Sequence, residues 1–427
     1  METYALRVTL FDVEPPVWRE LRVPAGLPLT DLHYALQAAM GWDDAHLYTF
    51  GRGERTWRDA HPDLPLEEDG ATDVEDGVVA DVLERGGEPA TYLYDYGDRW
   101  EHELTLVALT PDGEPRAVSV PHLDAGEGAC PPEDSGGAHG YERLVADGVF
   151  DGVDALDPFS LDGAARRVRL QAAPEPPLRP AVAAVLRQAP WRGPGSMFEQ
   201  VRVAAELVDR SLDTRDCIDL TVHLRWFLAY LGPGGVPLTA AGYLKPADVV
   251  ALAEELELSR EWIGKMTRED STPPIGQFRE LVRRLGLARA FRGRMVCTKL
   301  GDRLVNDPVG MVELLVERLP WGDDEPGVAA STLTLIDLAA LPHQTPDGNR
   351  YQQLNDRDAR IQLGMESLRW ELVGGDPGLA LRSTIRTTVA LLTRTDSLRP
   401  SDRGFDWHPT PAGRRLVATI LGIVPLV

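Results

Sequence analysis

Cysteine, lysine and long apolar runs are all scarce in this 427-residue chain. Its three cysteines, Cys130, Cys217 and Cys297, lie far apart and in odd number, which argues against a disulfide framework and favours a reducing cytoplasm. The longest apolar run, from Leu416 to Val427, is too short to span a bilayer and contains a proline. The N-terminus lacks the basic and apolar segments of a signal peptide. We therefore expect a cytoplasmic protein with no membrane partner.

Several short catalytic and metal-binding motifs are also missing. H-x-x-x-H and C-x-x-C spacings do not occur. Walker A, G-x-G-x-x-G and G-x-S-x-G patterns are absent from any strand–turn–helix setting that would use them. Nucleotide hydrolysis and esterase chemistry therefore have no support in the sequence. The sequence assigns no residue to a metal site and leaves the cofactor unknown.

Negative charge is abundant and unevenly distributed, with a net charge of −23 at pH 7. Residues 1–180 contain 14 Lys and Arg against 36 Asp and Glu, whereas residues 181–427 contain 30 and 31. The first part should therefore repel polyanions, and the second is nearly neutral with local basic patches. The hydrophobic fraction of 43% is enough for ordinary globular cores.

The length predicts two to four domains. Residues 173–195 contain six prolines, which makes this stretch the clearest boundary in the chain. We predict an α+β domain over residues 1–172 and a proline-rich linker over residues 173–195. A helical, winged-helix-like domain should follow over residues 196–320, and a second helical domain over residues 328–427.

The N-terminal pattern predicts a β-grasp-like domain, in which one helix packs on a mixed sheet. Period-2 and period-3.6 runs give the predicted order of elements: strands 4–10 and 17–23, a helix 28–40 with Thr30 as its N-cap, strand 46–51, an acidic loop 52–78, a short helical turn 79–85, and a hairpin 91–108. A turn-rich loop is expected over residues 121–141.

The predicted hairpin, Y-L-Y-D-Y-G-D-R-W-E-H-E-L-T-L-V, alternates on both sides of Gly97–Arg99. This loop would place Tyr94 opposite His102 and Asp95 opposite Glu101. Like charges directly opposite are unfavourable, so the pair would need a nearby cation, a bound proton or a metal. If the tyrosine face is open, it forms a platform for a peptide or a base.

Carboxylates, imidazoles and a thiol concentrate around this hairpin and in the later loop. Such groups can act as a general acid and base or bind a divalent metal. The candidate catalytic residues are Asp95, Asp98, His102, Glu133 and Asp134. The candidate ligand-binding residues are His46, Tyr94, Trp100, Cys130 and His139. Three alternatives stay open: a binding groove without catalysis, carboxylates that only cap turns, and a Cys130 that is only a small buried thiol.

A basic stretch marks the C-terminal half. Between Arg279 and Arg303 there are eight basic and two acidic residues, on a predicted helix and a hairpin around Gly293. This arrangement is typical of a winged helix that contacts duplex DNA. The candidate nucleic-acid-binding residues are Arg279, Arg283, Arg284, Arg292 and Arg294. The alternative is a solvated charged face.

A threonine followed three residues later by glycine and then by leucine recurs in this half at Thr239, Thr298 and Thr410; the first copy reads T-x-x-G-x-L and the last two read T-x-x-G-x-x-L. In the last two copies a short run precedes the threonine and a helix is predicted to follow. A winged helix often ends its wing strand in this way. The alternative is a threonine N-cap followed by a tightly packed glycine.

Five blocks, in order, resemble the plasmid pRiA4b ORF-3-like family across residues 1–170. They are E-P-P-V-W-R from Glu14, L-T-D-L-H from Leu29, G-W-D-D-A-H-L from Gly41, Y-D-Y-G-D-R-W-E-H from Tyr94, and G-E-G-A-C-P-P-E-D-S-G-G-A-H-G-Y from Gly126. The family has no established activity. Some relatives are labelled as insertion-element passengers, which implies an association with mobile elements. Others are labelled resolvases, but the nucleophilic serine with clustered arginines that a resolvase needs is missing here.

These observations favour a binding or regulatory protein over an enzyme. Its candidate partners are duplex DNA, through the C-terminal region, and a protein or peptide, through the N-terminal domain. The alternative is a metal-dependent hydrolase that uses the five candidate catalytic residues.

Overall fold

The computed structural model describes residues 2–59, 66, 70–150, 158–188, 196–260, 262, 264–340, 378–400 and 407–426. The chain forms two compact units. The first comprises Met1–Pro174 with Arg192–Glu199, and the second comprises Glu175–Trp191 with Gln200–Val427. Sheet and helix both occur, so the predicted α+β class is confirmed. Among the described helices, none has the length and apolar character needed to span a membrane.

The first unit is built on one sheet with helices. Its strands are β1 (Thr3–Leu10), β2 (Trp18–Pro24), β3 (Tyr48–Arg52), β4 (Arg55–Arg58), β5 (Thr72–Asp73), β6 (Ala90–Tyr94), β7 (Trp100–Thr110) and β8 (His122–Glu127). Its helices are α1 (Leu29–Met40), α2 (Val79–Val82), α3 (Gly137–Ala146) and α4 (Leu161–Ala172).

The eight strands lie in the order β5-β4-β3-β6-β7-β1-β2-β8. All neighbours are antiparallel except β4 and β5, so the sheet is mixed. Helix α1 buries Leu29, Leu32 and Leu36 in the same core as the inward residues of the strands, because these positions share one helical face. Helix α4 packs against α1 and β8.

Two predicted loops were wrong in part, because tertiary pairing recruited polar segments into the sheet. Residues 52–78 contain β4 and β5, and Gly53 at φ 57° reverses the chain between β3 and β4. Residues 121–141 begin with β8, which pairs along β2 and is supported by an ion pair between Arg22 and Asp124. Helix α1 begins one residue after Pro28, and Thr30 is not its cap.

The predicted hairpin exists, but its register differs from the expectation. Strand β6 ends at Tyr94, which pairs with Trp100, and Leu93 lies opposite Glu101. Asp95 and Arg99 both adopt left-handed φ angles, of 59° and 56°, so the loop has five residues rather than three. Asp95 therefore leaves the strand and does not face Glu101.

The chain after Pro174 is mainly helical. Its helices are α5 (Pro180–Leu186), α6 (Met197–Leu207), α7 (Thr214–Leu220), α8 (Val222–Leu231), α9 (Pro246–Glu255), α10 (Pro273–Arg284), α11 (Lys299–Leu304), α12 (Pro308–Arg318), α13 (Glu325–Ala340), α14 (Gly378–Arg394) and α15 (Pro411–Leu421). Its strands are β9 (Val236–Pro237), β10 (Ala288–Phe291), β11 (Arg294–Cys297), β12 (Leu398–Pro400) and β13 (Trp407–Pro409).

The repeated threonine pattern marks two equivalent strand-to-helix junctions. The Thr298 hydroxyl accepts a hydrogen bond from Gly301 N at 3.1 Å between β11 and α11. Thr410 does the same for Gly413 N at 2.9 Å between β13 and α15. A helix therefore follows both threonines, as the sequence predicts. At Thr239 the hydroxyl caps a turn instead.

Candidate functional site

One imidazole and two carboxylates from three separate segments meet in the first unit. His46 precedes β3, Asp95 follows β6, and Asp134 lies in the loop between β8 and α3. His46 Nε2 lies 3.6 Å from Asp95 Oδ2 and 3.2 Å from Asp134 Oδ1. One donor atom from each residue lies within 4.8 Å of the other two. We call these three residues the His–Asp–Asp cluster.

The backbone brings the three segments together. Asp95 N donates to Leu47 O at 2.9 Å, which holds the end of β6 beside His46. Gly136 N donates to Asp98 Oδ2 at 2.9 Å. A Cβ at Gly137 would lie only 2.2 Å from Asp98 O, so glycine is needed for the close approach of the two loops. These contacts hold the loop that contains Asp134 close to Asp95.

The two carboxylates of the cluster differ in exposure. The Asp95 side chain is 9% exposed, whereas the Asp134 side chain is 78% exposed. Both residues adopt left-handed backbone, at φ 59° and 58°, which aspartate tolerates better than most residues. Left-handed residues other than glycine are concentrated at functional sites.

Glu133 is held by its neighbours. Tyr94 donates its hydroxyl proton to Glu133, and Asp43 N donates to Glu133 Oε2 at 2.9 Å. Ala45 N in turn donates to the Tyr94 hydroxyl at 2.9 Å. Burial, followed by the bond to Glu133, raises the pKa of Tyr94 well above its usual value. Glu133 therefore anchors the loop that carries Asp134.

The five candidate catalytic residues do not form one group. Asp95 and Asp134 converge, but Asp98 binds the Gly136 amide and Glu133 binds Tyr94. His102 is fully buried, and its Nδ1 donates to Tyr92 O at 3.1 Å. Burial lowers the pKa of His102 to about 4, so the ring stays neutral at pH 7. It lies opposite Tyr92 and not Tyr94.

The candidate ligand-binding residues are also divided. His46 and Tyr94 lie at the cluster, with ring centroids 5.9 Å apart. Trp100 is buried in the core. Burial raises the pKa of Cys130 to about 12, so this residue is a thiol and not a thiolate. His139 lies on α3 with its side chain 93% exposed.

The tyrosine face of the hairpin is not an open platform. Tyr92 and Tyr94 are fully buried. Tyr92 accepts a hydrogen bond from Gln37 and contacts His33 through its hydroxyl. The aromatic side chains of this face therefore stabilise the core and do not present a stacking surface.

A cavity of about 930 Å³ adjoins the cluster and shares His46 with it. At its wall, His33 bonds to Asp44 Oδ1 at 2.7 Å and stacks on Tyr48 with ring centroids 3.5 Å apart. Burial raises the pKa of Asp59, which also faces the cavity. The lining residues are Thr30, His33, Tyr34, Asp44, Ala45, His46, Leu47, Tyr48, Asp59, Asp73 and Glu75. Sequence reasoning did not name these acidic residues. The signal for Asp59, Asp73 and Glu75 was the acidity of residues 52–78, whereas Asp44 lies in the G-W-D-D-A-H-L block.

Arg19, the last residue of the E-P-P-V-W-R block, has a structural role. Its guanidinium is buried and donates to the carbonyls of Ala39, Glu127 and Gly128 at 2.9, 2.8 and 3.0 Å. Phe159 covers it at 3.9 Å. Burial lowers the pKa of Arg19 to about 10. The E-P-P-V-W-R block therefore ties β2 to α1 and β8.

In the second unit, the hairpin β10–β11 presents basic and aromatic side chains. Residues 289–294, R-A-F-R-G-R, are all exposed. Arg292 and Gly293 take φ angles of 48° and 73°, the left-handed pair that suits a two-residue hairpin turn. The guanidiniums of Arg289 and Arg292 lie 5.1 and 5.0 Å from the ring of Phe291, which is 46% exposed.

Four of the candidate nucleic-acid-binding arginines are held by hydrogen bonds or ion pairs within the second unit. Arg279 donates to Glu269 at 2.9 Å and to Gly242 O at 2.8 Å. Arg283 pairs with Glu280, Arg284 pairs with Asp323, and Arg294 donates to the carbonyls of Gly234 and Gly235. Arg279 therefore braces a neighbouring loop. Arg289 was missed as a candidate, although it lies within the basic stretch.

Comparisons with known proteins match the N-terminal part of the chain. A family model described as "Plasmid pRiA4b ORF-3-like protein" matches residues 2–148. The uncharacterized protein y4hQ of Sinorhizobium fredii is 42% identical over 144 residues, which are 33% of this chain and 69% of that protein. A crystal structure of a protein of unknown function from Methanosarcina mazei Go1 shows 27% identity and a TM-score of 0.33. It covers 38% of this chain and 96% of the other.

Proposed function

The chain belongs to the plasmid pRiA4b ORF-3-like family through residues 2–148, and we propose that it is a regulatory binding protein that contacts duplex DNA through its second unit. The observation that carries this proposal is the order of elements in residues 222–297, which ends in the exposed basic hairpin. Three free cysteines favour a cytoplasmic location as part of the same proposal.

The order of elements in this segment supports the proposal of a winged helix. Helix α8, strand β9 and helices α9 and α10 are followed by β10 and β11. Strand β11 lies between β10 and β9. Phe227 of α8 and Phe278 of α10 meet edge to face, with ring centroids 5.4 Å apart, which supports the packing of these helices. In this comparison α10 takes the place of the recognition helix and β10–β11 the place of the wing.

The exposed residues of both elements suit a nucleic acid. In helix-turn-helix proteins one helix enters the major groove while other segments contact phosphates. Gln277 and Arg283 lie on the exposed face of α10, and glutamine and arginine can bond base edges. Arg289 and Arg292 lie on the exposed hairpin, where guanidiniums suit phosphate contacts.

For the first unit, a β-grasp-like fold remains our proposal, supported by α1 on a mixed sheet. The acidic cavity favours a cationic partner, such as a basic protein or peptide segment, over a polyanion. This division of roles agrees with the charge of the sequence, because residues 1–180 carry almost all of the net negative charge.

The metal-dependent hydrolase is a weaker candidate in the form expected from the sequence. His102 is buried and neutral, with its pKa lowered to about 4 by burial. Glu133 binds Tyr94 and the Asp43 amide, so it is not poised as a base. The convergence of Asp95 and Asp134 supports a metal site but no particular reaction.

A binding assay on the full chain tests the proposed function. Fluorescence anisotropy would compare the wild type with an Arg289→Ala/Arg292→Ala variant on a short labelled duplex. We expect about a tenfold loss of affinity near 0.1 M salt for each lost phosphate contact. Arg215→Ala is the matched control, because Arg215 is an exposed arginine on α7 outside the segment. Equal affinity in all three proteins, or no binding in any, would contradict the proposal.

A further inference from the structure

We propose that His46, Asp95 and Asp134 form a binding site for one divalent transition-metal ion, with zinc as the best-matched ion. This site lies in the first unit and is independent of the proposed DNA contact in the second. The cluster joins a nitrogen donor to two oxygen donors, a mixture that suits zinc and its neighbours among the first-row metals.

The distances within the cluster fit ligands around a small ion. Zinc bonds to nitrogen and oxygen are ~2.0–2.2 Å long, so two ligand atoms of a tetrahedral ion lie about 3.4 Å apart. The His46 nitrogen lies 3.6 Å from the Asp95 oxygen and 3.2 Å from the Asp134 oxygen. Two of the three donor separations therefore match this spacing, and the third, between the two carboxylates, is within 4.8 Å.

The His46 nitrogen also has an unmet bonding requirement. Nε2 is a buried atom without a hydrogen-bond partner among the described residues, although both carboxylates are near. Neither contact therefore has the geometry of a hydrogen bond. Buried polar atoms without a partner are rare and need an explanation, and an ion between the ring and the carboxylates provides one.

Charge gives a third argument. The Asp95 and Asp134 carboxylates approach the same His46 nitrogen to 3.6 and 3.2 Å, and one oxygen from each lies within 4.8 Å of the other. Carboxylates this close together repel each other. A divalent ion cancels this repulsion and uses the ring nitrogen as well.

The ligand set also favours particular metal ions and leaves a coordination position open. Magnesium and calcium prefer oxygen donors, so the imidazole favours zinc over both. Three protein ligands leave one tetrahedral position for water or another ligand. Because His46 also lines the cavity, an ion bound to it would lie beside the cavity.

Zinc titration of the metal-stripped full chain by calorimetry tests the site. The buffer would contain excess Mg²⁺ and ~150 mM salt, which screens non-specific attraction to the acidic chain beyond about 8 Å. We expect saturable binding of one zinc ion per chain. Zinc should also raise the melting temperature, because a ligand that binds only the folded state stabilises it.

Two conservative variants separate ligation from folding. Asp95→Asn and Asp134→Asn keep a residue that tolerates left-handed backbone, and an amide oxygen at position 95 can still accept from Gly97 N. We expect each variant to melt like the metal-stripped wild type. Each should lose more than the ~10–100-fold in zinc affinity that removal of a supporting residue costs.

Glu142→Gln is the matched control, because Glu142 is an exposed carboxylate on the neighbouring helix α3. It should bind zinc like the wild type. Zinc binding that is non-saturable, that is abolished by excess Mg²⁺, or that is equal in the wild type and both asparagine variants would overturn the assignment.

Discussion

His102 couples the stability of the first unit to pH. Its ring is fully buried, and burial lowers its pKa from the ordinary 6.5 to about 4. Between these two pH values the unfolded chain binds this proton and the folded chain does not. The contribution of the neutral His102 ring to the unfolding free energy is therefore complete above pH 6.5 and is lost as the pH falls towards 4.

Acidification should therefore destabilise the wild type more than a variant without this imidazole. Between pH 7 and pH 5 we expect His102 to account for about 2 kcal/mol of lost unfolding free energy. Urea unfolding at both pH values would measure it in the wild type and in His102→Gln. The same loss in both proteins would show that His102 is not the group responsible.

Arg415 holds two carboxylates of the second unit. It donates to both oxygens of Asp209 at 2.8 and 2.7 Å and to Asp216 at 2.9 Å, and Arg210 binds Asp216 from the other side. The hydrogen bond from Arg415, followed by the charges of Arg415 and Arg210, lowers the pKa of Asp209 to about 2. Asp216 is buried, so it depends on its cationic partners.

Loss of Arg415 should be costly, because it leaves the buried Asp216 with one cationic partner fewer. We expect Arg415→Ala to lower the unfolding free energy by about 3 kcal/mol, since breaking a buried pair costs ~3–5 kcal/mol and Arg210 remains. Arg215→Ala breaks the exposed ion pair with Asp219 on α7, the helix that carries Asp216. This substitution should lower the unfolding free energy by under ~1 kcal/mol. Similar costs for both variants in denaturant unfolding would show that the buried network is not stabilising.

At the scale of elements, the two strand-to-helix junctions share more than a capping threonine. A Cβ at Gly301 would lie 2.1 Å from Leu287 O, and a Cβ at Gly413 would lie 2.1 Å from Ser397 O. In both junctions the glycine has no side chain, so the following helix packs closely against the backbone of the residue just before the hairpin. Both features of the repeated T-x-x-G-x-x-L pattern therefore have a structural cause.

An alanine at either glycine should force the helix away from the hairpin. We expect Gly301→Ala and Gly413→Ala each to destabilise by about 1–3 kcal/mol, as overpacking does. Gly276→Ala in α10 has open space around the new methyl and should be neutral or stabilising by up to ~1 kcal/mol. Thermal unfolding of the three variants would measure this, and a uniform response would contradict the packing argument.

The hairpins show which elements the sequence could predict. The β10–β11 turn is local, because Arg292–Gly293 carries its own left-handed conformation, and its position was predicted. The β6–β7 register was predicted wrongly, because its loop is set by contacts with distant residues. Asp98 binds the Gly136 amide, and Asp95 N binds Leu47 O.

The residues of the candidate site could be predicted from the sequence, but their arrangement could not. Asp95 and Asp134 were both candidates on residue type, and His46 was a candidate ligand. Their convergence could not be predicted, because it depends on the approach of Gly137 to Asp98, which is 39 residues away along the chain. The acidic cavity wall depends in the same way on β4 and β5, which the sequence presents as a polar loop.

At the scale of the whole molecule, the proline-rich stretch is not uniform. Helix α5 lies inside it and buries Val182 and Leu186. Arg179 binds Leu319 O at 2.8 Å, and its amide donates to Leu421 O at 2.9 Å, so α5 is fixed within the second unit. Within the described part of the predicted linker, residues 173–188, the more accessible stretch therefore precedes Arg179.

Limited proteolysis should cut between Ala173 and Leu178 sooner than within α5, because proteases need exposed chain without internal bonds. The N-terminal product should still unfold cooperatively, as expected of a separate domain. Mass spectrometry of the fragments would locate the cut. First cleavage within α5, or an N-terminal fragment without a cooperative transition, would show that the proposed boundary is wrong.

The salt dependence of DNA binding by the full chain tests the proposed function most directly. Each phosphate neutralised contributes ~0.9 to the negative slope of log affinity against log salt. We expect measurable affinity at ~50 mM salt and a steep negative slope for the wild type. Arg289→Ala/Arg292→Ala should reduce the slope by about two units. A slope unchanged by the double substitution, or no affinity of the wild type at ~50 mM salt, would contradict the proposal that the hairpin contacts DNA.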